Sequence, residues 1–515
     1  MSTDLGRLWA TLTPEIRDRI IRPLPVIGDK CSILATVCQE WRSIIEPLNF
    51  AEINLSASRL AEPYTQTFLF QKKSQIRYIW FRIELKLYDC DQCRNTDAEQ
   101  WGLDDVDNQS IVDAFQSLFR TLGRWEPRGD LALDISIYSP SDNQHWFKYL
   151  DFRPDTLHAC SIQKPTPADD KAHGWAGGKQ TVAPEEHAII QTFEEIMGDG
   201  PFDDEPPEMD WWRSLPSVPV VGEVRLRQQT RRRWKPVALS NMLTRFPNLN
   251  EFWWEPWMEF DGTQTLIDSF SSSKIRNLTI FENFNEFYPH RYFEGVPVRK
   301  PSPDVSRKLA RASLRLDTLC VSFMADAGYF FAARDDAWTW ESLTSLTLTS
   351  RIFTNDAKVA DVDQLLQDAA VAVLQMPKLE RMELWNGRKG VAMLFRYQRT
   401  KDKQKPATIT VRGTSKLVVG DAALKVWDVV ARSHGNEGVV VETSLVDEET
   451  RCHADAIFHL GLSTQVARPV SLQQMITEHE SRAWTHDQDE QDCLEKKRRD
   501  LMRQVFDLAR ARGEW

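Results

Sequence analysis

The stretch that decides the fold is LTSLTL at residues 343–348, in which leucine occupies the first, fourth and sixth positions. The same apolar spacing recurs in VGEVRL (221–226), LNEFWW (249–254), IRNLTI (275–280), LDTLCV (316–321) and LERMEL (379–384), and in part in PATITV (406–411). Because side chains alternate along an extended chain, we expect positions 1, 4 and 6 to enter a core and positions 3, 5 and 7 to face outward. Each stretch therefore predicts one short strand.

Helical patterns separate these predicted strands. They are PVALSNMLTRF (236–246), SPDVSRKLARASL (302–314) and DVDQLLQDAAVAVLQM (361–376). Two of them end at Pro247 and Pro377, because proline stops a helix and favours an extended chain before it. The seven strands begin 28, 26, 41, 27, 36 and 27 residues apart. Most of these intervals resemble the period of leucine-rich repeats, so the sequence predicts an α/β repeat fold, an irregular leucine-rich-repeat solenoid.

Composition and charge exclude several classes of protein. The chain has 515 residues, of which 42% are hydrophobic, and this is typical of a folded chain rather than a disordered one. Its 64 Lys and Arg against 75 Asp and Glu give a net charge of −11, so general nucleic-acid binding is not expected. Membrane spans and a secretory signal are not indicated, and eight scattered cysteines fit a reducing compartment. We expect a soluble intracellular protein, cytoplasmic or nuclear.

Short helices are predicted at the N-terminus. LWATLTPEIRDRIIRPLP (8–25) has apolar residues four apart, and CSILATVCQEWRSII (31–45) carries one apolar helical face. Their order and spacing, together with Glu15, Cys38 and Arg42, resemble the F-box family. The resemblance implies docking to the Skp adaptor of a cullin-RING ubiquitin ligase through a helix-in-groove interface. The implied adaptor-binding residues are Leu12, Pro14, Ile16, Ile20, Leu24, Leu34, Val37 and Trp41.

Two further observations bear on this resemblance. Thr13 stands where many F-box members have proline, and the same helices could instead form an ordinary hairpin packed on the chain's own core. Farther along, RQQTRRRWKP (227–236), EPW (255–257) and FENFN (281–285) resemble a set of fungal F-box-like proteins. The C-terminal regions of those proteins have no assigned activity, so this resemblance implies kinship and no chemistry.

The rest of the chain divides by composition. Residues 161–215 are rich in proline and glycine and end in acidic residues, which favours a long insertion with one short helix through EEHAIIQTFEEIM (185–197). A charged helix at 489–512 is expected to dock as a cap on the last repeat. The predicted units are an F-box-like unit at 8–48, loosely patterned repeats at 49–160, the insertion at 161–215, βα repeats at 216–435 and a helical C-terminal cap at 436–515.

A binding face is expected on the outward side of the predicted strands. Positions 3, 5 and 7 there include tryptophan and arginine, the residue types that contribute most to protein interfaces. We predict that this face binds a client protein for ubiquitylation. The predicted client-binding residues are Arg225, Arg227, Glu251, Trp253, Glu255, Phe281, Arg381, Glu383 and Trp385.

Five arginines gather around the first of these strands, at Arg225, Arg227, Arg231, Arg232 and Arg233. Together they could hold a phosphate or carboxylate group through bidentate contacts. The favoured interpretation is that they pair with the acidic insertion or with the stretch WWEPW (253–257), so no anion site is predicted.

Cys90 and Cys93 form a single C-x-x-C pair. A structural zinc site needs four ligands, and neither a second cysteine pair nor a closely spaced histidine pair follows, so no metal and no cofactor are predicted. Common catalytic motifs such as G-x-S-x-G and H-E-x-x-H are absent from the sequence. The chain is therefore predicted to be a non-catalytic, substrate-recognition subunit of the ligase. The alternative is a repeat-based interaction scaffold without a ligase role.

Overall fold

A sheet of twelve strands runs through the structure. The structure is a computed structural model, and it describes residues 9, 11–24, 31–94, 102–155, 169–198, 200–257, 262–271, 273–283 and 300–483. The strands follow one another across the sheet in chain order. They are β1 (Glu52–Ser56), β2 (Tyr78–Glu84), β3 (Leu131–Tyr138), β4 (Val221–Leu226), β5 (Glu251–Trp254), β6 (Asn277–Phe281), β7 (Thr318–Ser322), β8 (Ser345–Thr349), β9 (Arg381–Arg388), β10 (Val391–Gln398), β11 (Ala407–Gly413) and β12 (Val439–Leu445).

Most neighbouring strands of the sheet are parallel. This holds from β1 through β9 and again for β11 with β12, whereas β10 is antiparallel to both of its neighbours. The register aligns Leu278, Leu319 and Leu346 in one row, so equivalent positions of the predicted strands lie side by side. The fold is therefore mixed α/β with a large, mostly parallel sheet.

Helices lie between the strands and at both ends of the described chain. They are α1 (Pro14–Ile21), α2 (Cys31–Leu34), α3 (Gln39–Ala51), α4 (Ala57–Leu60), α5 (Pro63–Lys72), α6 (Cys90–Cys93), α7 (Asp105–Leu122), α8 (Glu186–Phe193), α9 (Glu205–Ser214), α10 (Pro236–Leu243), α11 (Thr263–Phe270), α12 (Pro303–Ala312), α13 (Ala327–Ala332), α14 (Val359–Val373), α15 (Asp421–Ser433), α16 (His453–Leu460) and α17 (Pro469–Ser481). Short 3₁₀ turns occur at Lys171–His173, Gln228–Thr230 and Ser313–Arg315. In the described part of the chain, no helix is long and apolar enough to cross a membrane.

The core lies between the sheet and a layer of helices. The residues predicted to enter the core are buried in all six complete copies of the pattern, and Leu343, Leu346 and Leu348 are fully buried. Helices α9 to α15 pack side by side, each against the next, and cover this face of the sheet. Burying one large aliphatic side chain contributes about 1.5–3 kcal/mol, so this layer is a major source of stability.

The two predicted helix-to-strand junctions have the same geometry. After α10, the N–H of Leu249 donates to the carbonyl three residues earlier at 3.0 Å, and after α14 the N–H of Leu379 does so at 3.1 Å. Pro247 and Pro377 lie inside these turns, where a residue without an N–H cannot continue the helix. The chain thus leaves each helix and enters the next strand in the same way.

Some strands were not indicated by the sequence pattern. β10 follows β9 after a tight turn in which Gly390 has a φ of 74°, a conformation that favours glycine. Most of β10 is buried on both faces, so its sequence is a nearly continuous apolar run instead of the expected spacing. β12 then forms an edge of the sheet, with most of its side chains exposed.

Two predicted segments differ from expectation. The described part of the insertion is not one long loop, because it contains α8 and α9, although α8 confirms the short predicted helix. The predicted C-terminal cap begins with β12, and residues 446–483 then run back across one face of the sheet, so their expected position at its end is wrong. The helix predicted at 489–512 lies outside the described residues.

Leu366→Ala in α14 should lower the free energy of unfolding by about 2–5 kcal/mol, because truncating a fully buried leucine leaves a cavity. Leu366 is 0% exposed, whereas Leu374 at the end of the same helix is 42% exposed. Leu374→Ala is therefore a matched control that removes the same atoms and should change stability by no more than about 0.5 kcal/mol. Denaturant titration followed by tryptophan fluorescence measures both, and equal effects would contradict the packing of α14 on the sheet.

Candidate functional site

The predicted adaptor-binding residues lie on α1, α2 and α3 or close to their ends. Ile16 and Ile20 are 46% and 43% exposed, and Val37 is 58% exposed. An ion pair between Arg17 and Glu40, at 3.2 Å, joins α1 to α3. Of the other predicted residues, Pro14 is exposed, and the partly buried ones are Leu12, Leu24, Leu34 and Trp41. Three of the predicted adaptor-binding residues thus have large aliphatic side chains that are about half exposed.

The predicted client-binding row is mostly covered, so the expectation that it faces solvent is wrong for most of its members. The buried ones are Arg227, Trp253, Glu255, Phe281, Glu383 and Trp385. Arg225, Glu251 and Arg381 are partly exposed. Since Glu251 and Arg381 are the first residues of β5 and β9, the accessible part of this face lies at the amino-terminal ends of the strands.

Residues 446–483, which we call the covering segment, lie over this row. The Glu383 carboxylate accepts hydrogen bonds from the N–H groups of Ser463 at 2.8 Å and Thr464 at 3.0 Å. The same carboxylate pairs with Arg396 of β10 at 2.7 Å. Helix α16 packs on β9 and β10 beside this contact. Glu383 therefore holds the loop between α16 and α17 against the sheet.

Glu255, just after β5, holds the start of α17 in a comparable way. Its carboxylate accepts from the N–H of Arg468 at 2.6 Å, from the hydroxyl of Ser471, and from the indole of Trp253 at 2.9 Å. Arg468 gives α17 no side-chain cap of its own, so the glutamate supplies the acceptor that a helix N-terminus requires. Burial raises the pKa of Glu255, while these donors act to lower it.

Aromatic side chains fill the space between the sheet and the covering segment. The ring of Phe323 lies 5.3 Å from that of Trp385 and 5.6 Å from that of Phe281. The Arg468 guanidinium lies 4.9 Å from the centre of the Trp253 ring. The surface that the sequence predicted for a partner is thus a second core, shared with the chain's own C-terminal part.

Most of the clustered arginines are neutralised by carboxylates, which confirms the interpretation that they form ion pairs. The partners are not those expected, because they lie neither in the acidic insertion nor in WWEPW. The pairs are Arg225 with Asp155, Arg227 with Asp134, Arg231 with Glu478, and Arg232 with Asp142. These guanidinium groups are therefore engaged inside the protein, and one of them holds the covering segment.

The C-x-x-C pair meets two histidines, which corrects the expectation that no further ligands accompany it. Cys90 and Cys93 form the single turn of α6, whose N-terminus is capped by Asp89. His145 comes from the segment after β3, and His173 comes from the 3₁₀ turn in the insertion. The sulfur and ring nitrogen atoms of the four side chains all lie within 4.8 Å of one another.

The sulfur and nitrogen atoms that face one another in this cysteine-histidine cluster lie close together. Cys93 Sγ lies 3.2 Å from His173 Nε2, and Cys90 Sγ lies 3.8 Å from His145 Nδ1. The two ring nitrogens, His145 Nδ1 and His173 Nε2, are 3.3 Å apart. Cys93 and both histidines are buried, and Cys90 forms the solvent side of the cluster.

Both imidazoles are oriented by contacts of their other nitrogen. His173 Nδ1 lies 2.7 Å from the carboxylate of Asp170, which also pairs with Lys148 at 3.0 Å. His145 Nε2 lies 3.3 Å from the carbonyl of Tyr88, whose ring stacks on the imidazole at 5.2 Å. These contacts give the outer nitrogen of each ring an oxygen acceptor, and a neutral ring with its N–H there has a lone pair on the inner nitrogen.

The cluster's surroundings set its protonation states. Burial, with a smaller contribution from Cys90, raises the pKa of the Cys93 thiol to about 12. Burial also lowers the pKa of His145, although its contact with the Tyr88 carbonyl opposes this. Despite partial burial, the hydrogen bonds from Lys148 and His173 lower the pKa of Asp170. Burial thus favours the uncharged forms of Cys93 and His145, and hydrogen bonds favour the ionised form of Asp170.

Sequence reasoning missed the histidines because they are far away along the chain. His145 lies 55 residues after Cys90, and His173 lies 80 residues after Cys93. The available signal is their position in the turn-rich stretches SPSDNQHW (139–146) and KAHGW (171–175). Such stretches are compatible with ligand loops, and they do not identify a pair of ligands without the fold.

Part of the chain matches a known protein family. Residues 270–468 match DUF6546, a family of unknown function. The match includes β6 to β12 and the first part of the covering segment, and it excludes both the N-terminal helices and the cysteine-histidine cluster. No curated protein matches the chain significantly.

Glu255→Ala should loosen the covering segment. The substitution removes the buried acceptor for the Arg468 N–H and the Trp253 indole, which should cost about 1–3 kcal/mol. Amides at 463–481 should then exchange with solvent faster, while those of β6 to β8 keep their protection. Hydrogen exchange with mass spectrometry measures both regions. Glu442→Ala, on exposed β12, is the matched control, and faster exchange throughout the chain would contradict a local anchoring role.

Proposed function

We propose that this protein is the client-recognition subunit of a cullin-RING ubiquitin ligase and binds the Skp adaptor through its N-terminal helices. The observation that carries the proposal is the exposure of Ile16 and Ile20 on α1 and of Val37 in the turn before α3, within a stretch whose sequence resembles an F-box. Large aliphatic side chains on short helices gain stability when a partner's groove covers them. In this role the protein is a non-catalytic subunit.

The three exposed side chains can supply a useful part of the binding energy. Each is about half exposed, and complete burial of such a side chain contributes about 1.5–3 kcal/mol, so covering all three adds roughly 2–4 kcal/mol. The partly buried predicted residues have another role, since Leu34 and Trp41 are already engaged by neighbouring helices. They support the surface that Ile16, Ile20 and Val37 present.

Ile16→Asp should abolish binding to the Skp adaptor, because it places a charge where an apolar contact is proposed. Binding is measured by pull-down with purified adaptor and by titration calorimetry, and at least a 100-fold loss is expected. The melting temperature should stay within a few degrees, because Ile16 is exposed in the free protein.

Val359→Asp is the matched control for this experiment. Val359 starts α14 and is 50% exposed, so the substitution adds the same charge at a distant exposed position. It should leave adaptor binding unchanged. If wild-type protein shows no adaptor binding, the ligase role is lost and the interaction-scaffold alternative takes its place.

The covered row leaves a smaller surface for a client, at the amino-terminal ends of β1 to β5. A groove of about 380 Å³ lies there. Carboxylates outnumber guanidinium groups among its lining residues: Glu52, Asp130, Asp155, Glu223 and Glu251 against Arg77 and Arg225. Asp155 is buried and paired with Arg225 and Arg468, so the other four carboxylates are the ones that a client could meet. Burial, followed by repulsion from Glu223, raises the pKa of Glu251, so this side of the groove is electrostatically unfavourable for further negative charge. A basic client segment would be complementary to it.

Glu251→Lys should reduce client capture at least several-fold, because it reverses a charge in the groove. Capture is measured by quantitative mass spectrometry of proteins retained from a lysate by wild-type and variant chains. Glu442→Lys, on the exposed edge strand β12, makes the same change elsewhere and should retain the clients. Ile16→Asp should retain them as well while losing the adaptor, and loss of both would contradict separate client and adaptor surfaces.

A further inference from the structure

We propose that Cys90, Cys93, His145 and His173 form a zinc site that fastens the insertion to the sheet. The four side chains come from three separate parts of the chain and converge on one point, with all four donor atoms within 4.8 Å of one another. Two thiolates and two imidazoles are a usual ligand set for structural zinc. This site is independent of the adaptor and client surfaces.

The distances fit a tetrahedral ion. With Zn–S near 2.3 Å and Zn–N near 2.0–2.1 Å, tetrahedral geometry places two nitrogens about 3.3 Å apart and a sulfur and a nitrogen about 3.5 Å apart. The two ring nitrogens of His145 and His173 are 3.3 Å apart. The sulfur-nitrogen distances are 3.2 Å for Cys93 with His173, 3.8 Å for Cys90 with His145 and 3.9 Å for Cys90 with His173, and they lie on both sides of the second value.

The orientation of the histidines is a second, independent observation. Each ring turns one nitrogen toward the cluster and the other toward an oxygen acceptor, Asp170 for His173 and the Tyr88 carbonyl for His145. This outer contact is characteristic of metal-binding histidines, because it fixes the tautomer that leaves a lone pair for the ion. Tetrahedral sites with two sulfur and two nitrogen ligands favour zinc over harder divalent ions.

Four protein ligands leave no open position, so the site is structural and not catalytic. The ion would join α6, the segment after β3, and the 3₁₀ turn that begins the described insertion. The insertion continues into a hairpin of Trp175–Ala176 with Lys179–Gln180. There the Gln180 carbonyl accepts from the N–H of Ala483 at 2.7 Å, next to the end of α17. Zinc would therefore support one end of the covering segment indirectly.

Metal content of the purified full chain tests the proposal. Protein prepared under reducing conditions should contain about one zinc per chain by inductively coupled plasma mass spectrometry. Removal with a strong chelator should make two further thiols reactive and increase proteolysis within 169–198. Replacement by Co²⁺ should give the intense visible absorption of a tetrahedral cobalt-thiolate site. A folded chain with no stoichiometric zinc, and none taken up after reduction, overturns the proposal.

Variants assign the ligands. Cys93→Ser and His173→Ala should lose the stoichiometric zinc, whereas Cys38→Ser, which removes an exposed thiol outside the cluster, should keep it. Asp170→Asn alters an outer contact and should weaken zinc affinity about 10–100-fold while leaving the ligands in place. If a ligand variant fails to fold, this weaker variant and the chelated wild type still decide the question. Zinc retained by both ligand variants would place the ion elsewhere.

Discussion

A parallel sheet must be covered on both faces, and this constraint governs the rest of the structure. The helices between consecutive strands pack as one layer, so they can protect one face only. The second face carries aromatic side chains such as Phe281 and Trp385, which are unfavourable in water. The covering segment shields the part of this face around these residues. Its presence explains why a predicted partner surface is occupied from within.

The covering contacts are specific because they join charged groups on the sheet to backbone donors on the covering segment. Glu255 and Glu383 are buried carboxylates, and each is stabilised by several hydrogen-bond donors. A buried carboxylate without such donors would be expensive. The two glutamates therefore fix where the segment lies, while the aromatic packing around Phe323 gives it apolar contact area.

The sequence allowed the strands and their core side chains to be predicted, because both follow from a local spacing. Leu343, Leu346 and Leu348 show this, since alternation and the intervening helix are enough to place them. The position of the covering segment could not be predicted in the same way. The contact between Glu255 and Arg468 spans 213 residues, and a spacing rule carries no information over that distance.

The cysteine-histidine cluster shows the same limit for chemistry. A C-x-x-C pair is visible in the sequence, but its partners become ligands only when β3 and the insertion bring His145 and His173 beside α6. Strand β10 was missed for a different reason. A strand that is buried on both faces lacks the alternation of apolar and polar residues by which strands are recognised in a sequence. Sequence patterns therefore predict the strands and helices that are neighbours along the chain. They do not predict contacts between distant segments, such as those of the covering segment and of the two histidines.

The covering segment also imposes an order on folding. Its anchors are Glu255, just after β5, and Glu383, on β9, so the segment cannot dock until β5 to β9 have assembled in register. Contacts of such long sequence separation form late, because closing large loops is slow. During synthesis the aromatic face of the sheet is consequently left bare until residues 446–483 emerge. Docking of the segment then removes this aromatic surface from water.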